Sequence, residues 1–110
     1  MAFRIESIDE ADVEFLGLPP SVREIFIAAF RELAVSETPI VQGPGWYVEE
    51  LRQNQRIVPE GLFSLHVGGL WRGAFCRTRG SLVFIGFGYR IPEFYDKLTR
   101  LSKTVRETRK

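Results

Sequence analysis

The sequence predicts one α+β domain spanning residues 1–110, in the order N-terminal strand, helical hairpin, antiparallel three-strand meander and C-terminal helix. Three observations predict this class. An apolar stripe recurs at helical spacing in the first third, a Pro-Pro break separates two helical stretches, and segments rich in aromatic and β-branched residues alternate with glycine turns after residue 60. A chain of 110 residues suits a single core.

The N-terminal segment predicts a strand followed by a short helix. Apolar and polar residues alternate over 3–8, as they do in a half-buried strand. Asp9 is predicted to cap a helix that continues to about Leu16. Residues 17–20, Gly-Leu-Pro-Pro, then interrupt the helical pattern.

The second helix has the clearest pattern in the chain. Ser21 and Glu24 have the spacing of a capping box, in which hydroxyl and carboxylate satisfy two free backbone amides. The apolar positions that follow form one stripe along the helix. They are Val22, Ile25, Phe26, Ala29, Phe30 and Leu33.

Residues 35–60 predict a mostly irregular region. Proline and glycine recur there, at Pro39, 43–45 and Pro59. Within it, residues 46–51 fit either a short strand or a turn of helix.

The second half predicts three consecutive strands, over residues 62–67, 70–77 and 82–87. Gly68-Gly69 and Thr78-Arg79-Gly80 supply the turns, so the strands form an antiparallel meander. After Pro92, apolar residues at helical spacing predict a closing helix. They are Phe94, Leu98, Leu101 and Val105.

Composition argues against several classes of protein. No run approaches the ~20 apolar residues of a membrane span, and Glu6 lies too near the start for a signal peptide. One cysteine, Cys76, and one histidine, His66, predict neither a disulfide framework nor a Cys/His zinc site. We therefore expect a cytoplasmic protein without metal or cofactor.

Charge is divided along the chain. Residues 1–60 carry five arginines against eleven carboxylates, a balance of −6, whereas residues 61–110 carry ten cations against three carboxylates, a balance of +7. A basic segment of this kind suits an anionic partner such as nucleic acid. In the alternative interpretation, the two halves neutralise each other in the folded molecule.

Several short motifs, in this order, resemble the RelE/ParE superfamily of toxin–antitoxin toxins. They are Ser21-Val22-Arg23-Glu24 in the helical hairpin, Leu70-Trp71-Arg72 after the glycine turn, the apolar strand 82–87, Gly88-Tyr89-Arg90 and Tyr95. The similarity extends over about residues 2–100. It implies the toxin of a type II pair, with an antitoxin that wraps the toxin and covers its basic face.

The resemblance also implies a reaction, the ribosome-dependent cleavage of mRNA by acid–base chemistry without a metal ion. Arg72 and Arg90 would hold the phosphate, because guanidinium groups bind phosphate oxygens with a planar fork. Tyr95 or His66 would transfer protons, since imidazole titrates near neutral pH. Arg77, Arg79 and Lys97 would extend the RNA-binding rim.

Each candidate also has a structural interpretation. Arg72 can pair with a carboxylate from the first half, and Arg90 can stabilise the start of the last helix. Tyr95 and His66 can belong to the core. Moreover, the strand over 62–67 has no lysine, whereas RelE-type nucleases usually carry lysines there. That absence favours an alternative, a DNA gyrase inhibitor of the ParE type. A non-catalytic interaction protein of the same fold is the third possibility.

The register of the hairpin at Gly68-Gly69 decides whether His66 and Arg72 can cooperate. A two-residue loop would place them on opposite faces of the sheet, whereas a three-residue loop or a bulge would place them on one face. The sequence leaves both registers open.

Overall fold

The structure, a computed structural model, describes residues 3–51 and 61–89, and five later positions. Those five are Lys97, Arg100, Leu101, Thr104 and Val105. The elements, in chain order, are β1 (Arg4–Ser7), α1 (Asp9–Leu16), α2 (Pro20–Val35), β2 (Gln42–Gly43), β3 (Trp46–Glu50), β4 (Leu62–Val67), β5 (Trp71–Thr78) and β6 (Ser81–Tyr89).

The strands form one six-stranded mixed sheet in the order β1-β6-β5-β4-β3-β2. The predicted N-terminal strand, helical hairpin and antiparallel meander β4–β5–β6 are all present. The N-terminal strand β1 pairs in parallel with β6, and every other pairing is antiparallel.

The prediction of a mostly irregular region over 35–60 was wrong for β2. Of the two alternatives for residues 46–51, the structure has the strand, β3. Both strands extend the sheet beyond β4. The physical reason lies in two features. Trp46 and Val48 alternate into the core and are buried. Gly45 adopts a φ of 77°, which allows the tight turn between β2 and β3.

Both helices begin differently from the predicted caps. Asp9 is the first helical residue of α1 and Ile8 is the N-cap, without a side-chain cap bond. In α2 the N-cap is Pro19, and Pro20 occupies the first turn, where its missing N–H costs no hydrogen bond. Ser21 therefore lies inside the helix, and the predicted capping box does not form.

One face of the sheet, the helix face, packs against α1 and α2 around a cluster of phenylalanines. Phe26 of α2 meets Phe87 of β6 edge to face at 5.2 Å between ring centroids, and Phe84 stacks on Phe87 at 5.3 Å. Edge-to-face and offset rings contribute about 0.5–1.5 kcal/mol beyond their buried area. This cluster fixes the helical hairpin on the sheet.

The opposite face of the sheet carries a smaller apolar cluster. Its buried members are Leu62, Ala74, Cys76, Val83, Ile85, Leu101 and Val105. The last two belong to the C-terminal segment, so that segment covers part of this face.

The predicted closing helix falls largely on residues outside the described ones. The five described positions in that segment have α-helical backbone conformation. Within the described part of the chain, no helix is long and apolar enough to cross a membrane.

Candidate functional site

The β4–β5 hairpin turns through three residues, Gly68, Gly69 and Leu70. Gly68 and Gly69 have φ values of 60° and 80°, which favour glycine. Val67 pairs with Trp71, so His66 lies directly opposite Arg72. Of the two registers that the sequence left open, the structure has the one that places both side chains on the same face.

Arg72 is a buried cation, with 4% of its surface exposed. Its Nη1 donates to the carbonyl oxygens of Gly69 at 3.1 Å and Trp71 at 3.0 Å. Its Nε has no hydrogen-bond partner among the described residues. Within that part of the chain, backbone carbonyls rather than carboxylates hold the guanidinium. These two backbone carbonyls therefore fix the position of the charge.

His66 is also buried, with 7% of its surface exposed, and an aromatic ring covers it. Tyr47 of β3 is its register partner, and the two rings stack at 4.4 Å between centroids with planes 15° apart. Tyr47 itself is 45% exposed. The phenol thus lies between the imidazole and solvent.

Tyr47, His66 and Arg72 form a row across three neighbouring strands, on the face opposite the helices. Ser64 lies on the same face two residues before His66 and is 1% exposed, and its Oγ has no partner among the described residues. A fixed guanidinium can bind a phosphate oxygen, and a neighbouring imidazole can transfer a proton. The row thus places two acid–base groups, the phenol and the imidazole, next to an anion-binding group, the guanidinium.

Solved structures with this architecture come from bacteria and an archaeon. The RelBE2 toxin–antitoxin complex of Mycobacterium tuberculosis superposes with a TM-score of 0.59 and 17% identity, covering 82% of this chain and 100% of that chain. A double arginine-to-alanine mutant of E. coli toxin RelE in the free state gives a TM-score of 0.57 and 20% identity, covering 91% and 97%. The RelE–RelB complex of Pyrococcus horikoshii gives 0.55 and 13%, covering 84% and 99%.

The chain has the RelE fold. The superpositions confirm at the level of fold the resemblance that the sequence motifs indicated. Sequence comparison matches the chain to no protein-family model and to no curated protein.

Two of the predicted rim cations lie away from His66 and Arg72 in this RelE fold. Arg77 is five residues beyond Arg72 on β5, which is about 17 Å along a strand, and the odd spacing puts it on the helix face. Its Cζ lies 5.2 Å from the centroid of the Phe3 ring. Arg79 is exposed in the β5–β6 turn. The fold therefore does not bring these two cations to the row.

Lys97 is paired with a carboxylate. Its Nζ lies 2.5 Å from Oε2 of Glu14 on α1, and both side chains are 28% exposed. Oε1 of the same carboxylate accepts a hydrogen bond from the backbone N–H of Phe87. Glu14 thus joins α1, the edge of β6 and the C-terminal segment, and Lys97 contributes to this junction.

Arg90 and Tyr95 lie outside the described residues. Sequence reasoning did not select Tyr47 or Ser64, although both lie beside His66. The alternation of Trp46-Tyr47-Val48 contained the signal for Tyr47, since a strand there would place the tyrosine on the face opposite the core. No sequence pattern singles out Ser64.

No three His, Cys, Asp or Glu side chains among the described residues are grouped so as to hold a metal ion.

Proposed function

We propose that this protein is the toxin of a type II toxin–antitoxin pair and cuts ribosome-bound mRNA without a metal ion. The observation that carries the proposal is the register of the β4–β5 hairpin, which sets His66 beside Arg72 on one face of a RelE-fold sheet. An endoribonuclease of this kind needs a base for the 2′-OH and a cation for the phosphorane.

Each group in the row has a proposed part in that reaction. Arg72 stabilises the charge that develops on the phosphate, because a guanidinium binds phosphate oxygens with a planar fork and two backbone carbonyls fix its direction. His66 takes the proton of the 2′-OH, in place of the absent strand lysines. Arg90 shares the phosphate, and Tyr95 returns a proton to the leaving 5′-oxygen. Arg79, exposed in the β5–β6 turn, contacts the RNA backbone farther from the cut, whereas Arg77 on the helix face and Lys97 in its pair with Glu14 have no part in the reaction.

The proposed partner is an antitoxin. Two of the three superposed structures are complexes of a RelE toxin with its RelB antitoxin. On this chain, an antitoxin that covers the row would prevent RNA from reaching Arg72. We place both proteins in the cytoplasm, where ribosomes and mRNA are found.

The test is induced expression followed by mapping of mRNA ends. We expect new ends at ribosome-covered codons with the natural chain, and none with Arg72→Ala or Arg90→Ala. Arg31→Ala is the matched control, because Arg31 is exposed on α2, away from the row. Circular dichroism checks that each variant is folded. Ends that persist at the same codons in folded Arg72→Ala would overturn the assignment of Arg72.

Gyrase inhibition is the second candidate, favoured by the burial of His66 and Arg72. A protein that acts through surface contacts needs no substrate access to these groups, and β4 carries no lysine. Gyrase inhibition predicts DNA damage on induction without cut mRNA, and it predicts that Arg72→Ala remains toxic if folded. Induction that leaves growth unaffected argues against both toxic activities and favours a non-catalytic interaction protein.

A further inference from the structure

We infer that Tyr47 is the positioning residue of His66, a role that deepens the proposed nuclease site and rests on it. The phenol and the imidazole are register partners on β3 and β4, and their rings lie nearly parallel at 4.4 Å. A stack of this geometry holds the imidazole in one plane. It also covers one face of the imidazole ring.

The exposures of the two rings show which one shields the other. Tyr47 is 45% exposed, whereas His66 is 7% exposed. Removing the phenol would therefore uncover the imidazole, whereas removing the imidazole would leave a tyrosine that already contacts solvent. The asymmetry distinguishes this stack from one between two equally buried core rings.

The row supplies a reason for fixing the imidazole. Arg72 stands on the other side of His66 and is held by two carbonyl oxygens, those of Gly69 in the hairpin loop and of Trp71 at the start of β5. Proton transfer and phosphate binding require both groups in one fixed geometry, since a misplacement of ~1 Å can cost about a hundredfold in rate. Tyr47 fixes the imidazole as the carbonyls of Gly69 and Trp71 fix the guanidinium.

The test uses the fact that His66 is the chain's one histidine. Diethyl pyrocarbonate modifies accessible imidazoles, and the absorbance of the product reports the modification rate of His66 directly. We expect Tyr47→Ala to be modified severalfold faster than the natural chain and Tyr47→Phe to match it, because phenylalanine retains the ring. Tyr89→Ala is the matched control: Tyr89 is 51% exposed and stacks on Trp71, not on His66.

A second readout separates positioning from a general structural role. In ribosome-dependent cleavage, Tyr47→Ala should lower kcat by about 10- to 100-fold with little change in KM, and Tyr47→Phe should restore it. Tyr47→Val supplies a variant that favours a strand, in case the alanine variant unfolds. It should behave as Tyr47→Ala does in both measurements.

The modification rate and the cleavage kinetics test different claims, so one claim can fail while the other stands. If the chain cuts no RNA, the nuclease proposal fails, and the modification rates alone decide whether Tyr47 shields and holds the imidazole. Equal modification rates in folded Tyr47→Ala, Tyr47→Val and the natural chain would overturn the inference. A kcat in those variants equal to that of the natural chain would also overturn it.

Discussion

Arg72 combines a cost in stability with a proposed use in catalysis. Its guanidinium is buried, and within the described residues only backbone carbonyls accept its hydrogen bonds. A buried charge without a carboxylate partner is expensive, and an apolar side chain of similar length is often as stable or more stable. On the contacts made by the described residues, stability alone does not account for an arginine at this position, whereas a functional role does.

Arg72→Met should therefore retain the fold while abolishing RNA cleavage. We expect its free energy of unfolding in urea to equal that of the natural chain or to exceed it by about 1 kcal/mol, because the methionine removes a desolvated charge. A loss of about 3 kcal/mol or more would contradict this explanation, since it would mean that the guanidinium takes part in a stabilising buried ion pair.

Gly73 is required by packing on the helix face. A Cβ at this position would lie 2.9 Å from ring carbons of both Phe26 and Phe87. Both rings belong to the cluster that fixes α2 on the sheet, so neither can move without disturbing its neighbours.

Gly73→Ala should lower the free energy of unfolding by about 1–3 kcal/mol, the usual cost of overpacking. Gly17→Ala is the matched control, because Gly17 has a φ of −81° and a Cβ there would contact backbone oxygens at 3.5 Å or more. We expect the control to be neutral or slightly stabilising. Equal changes in the free energy of unfolding for the two substitutions, measured by urea titration, would show that the Phe26 and Phe87 rings can move to make room for the Cβ.

At the scale of elements, Glu14 joins parts of the chain that are distant in sequence. β1 pairs with β6 only as far as Phe84, so beyond that point this edge of β6 has no neighbouring strand among the described residues. Glu14 of α1 accepts the N–H of Phe87 at this edge and pairs with Lys97. A helix side chain thus satisfies a backbone group that a longer β1 would have paired.

Glu14→Gln and Lys97→Met should show a positive coupling in a double-mutant cycle. For a partly exposed pair we expect about 0.5–1 kcal/mol, decreasing as salt is added. Glu32→Gln replaces Glu14→Gln in the control cycle, since Glu32 is an exposed carboxylate on α2. A coupling energy equal to that of the control cycle would mean that Lys97 adds no stability through its ion pair with Glu14.

The elements that are predicted best from the sequence are those that a local pattern of residues specifies. The stripe of α2 and the turns of the meander are local signals, and they predicted α2 and β4–β6 correctly. β2 was missed, and β3 was left as one of two alternatives, because glycine and proline dominate their surroundings, while β2 depends on pairing with β3 and β3 on pairing with β4. Pairing across distant segments leaves little trace in a local pattern.

The same distinction between local patterns and long-range pairing applies to the candidate site. Residue type indicated Arg72 and His66, but whether they share a face depends on whether the loop contains two residues or three, and both lengths fit Gly68-Gly69-Leu70. A comparable uncertainty affects β6, where a bulge near Ile85 puts Phe84 and Phe87 on the same face despite their spacing of three. Register errors of one residue exchange the two faces of a sheet, so sequence alone could not decide the site.

At the scale of the whole molecule, the two faces of the sheet have different roles. The phenylalanine cluster covers the helix face, and its packing stabilises the fold. The opposite face carries the row of Tyr47, His66 and Arg72 beside an apolar cluster that the C-terminal segment partly covers. The basic half of the chain supplies β4–β6, and the acidic half supplies both helices. In our proposal the row is the surface that mRNA and antitoxin compete for.

The chemistry of the cut ends tests that proposal most directly. Purified protein is mixed with ribosomes programmed with a defined mRNA, and the new termini are identified by end labelling and mass spectrometry. Attack by the 2′-OH, with His66 as base and Arg72 on the phosphate, predicts a 5′-hydroxyl and a 2′,3′-cyclic phosphate or its 3′-phosphate product, and none of these with Arg72→Met. Intact mRNA, or new ends that carry a 5′-phosphate, would contradict it.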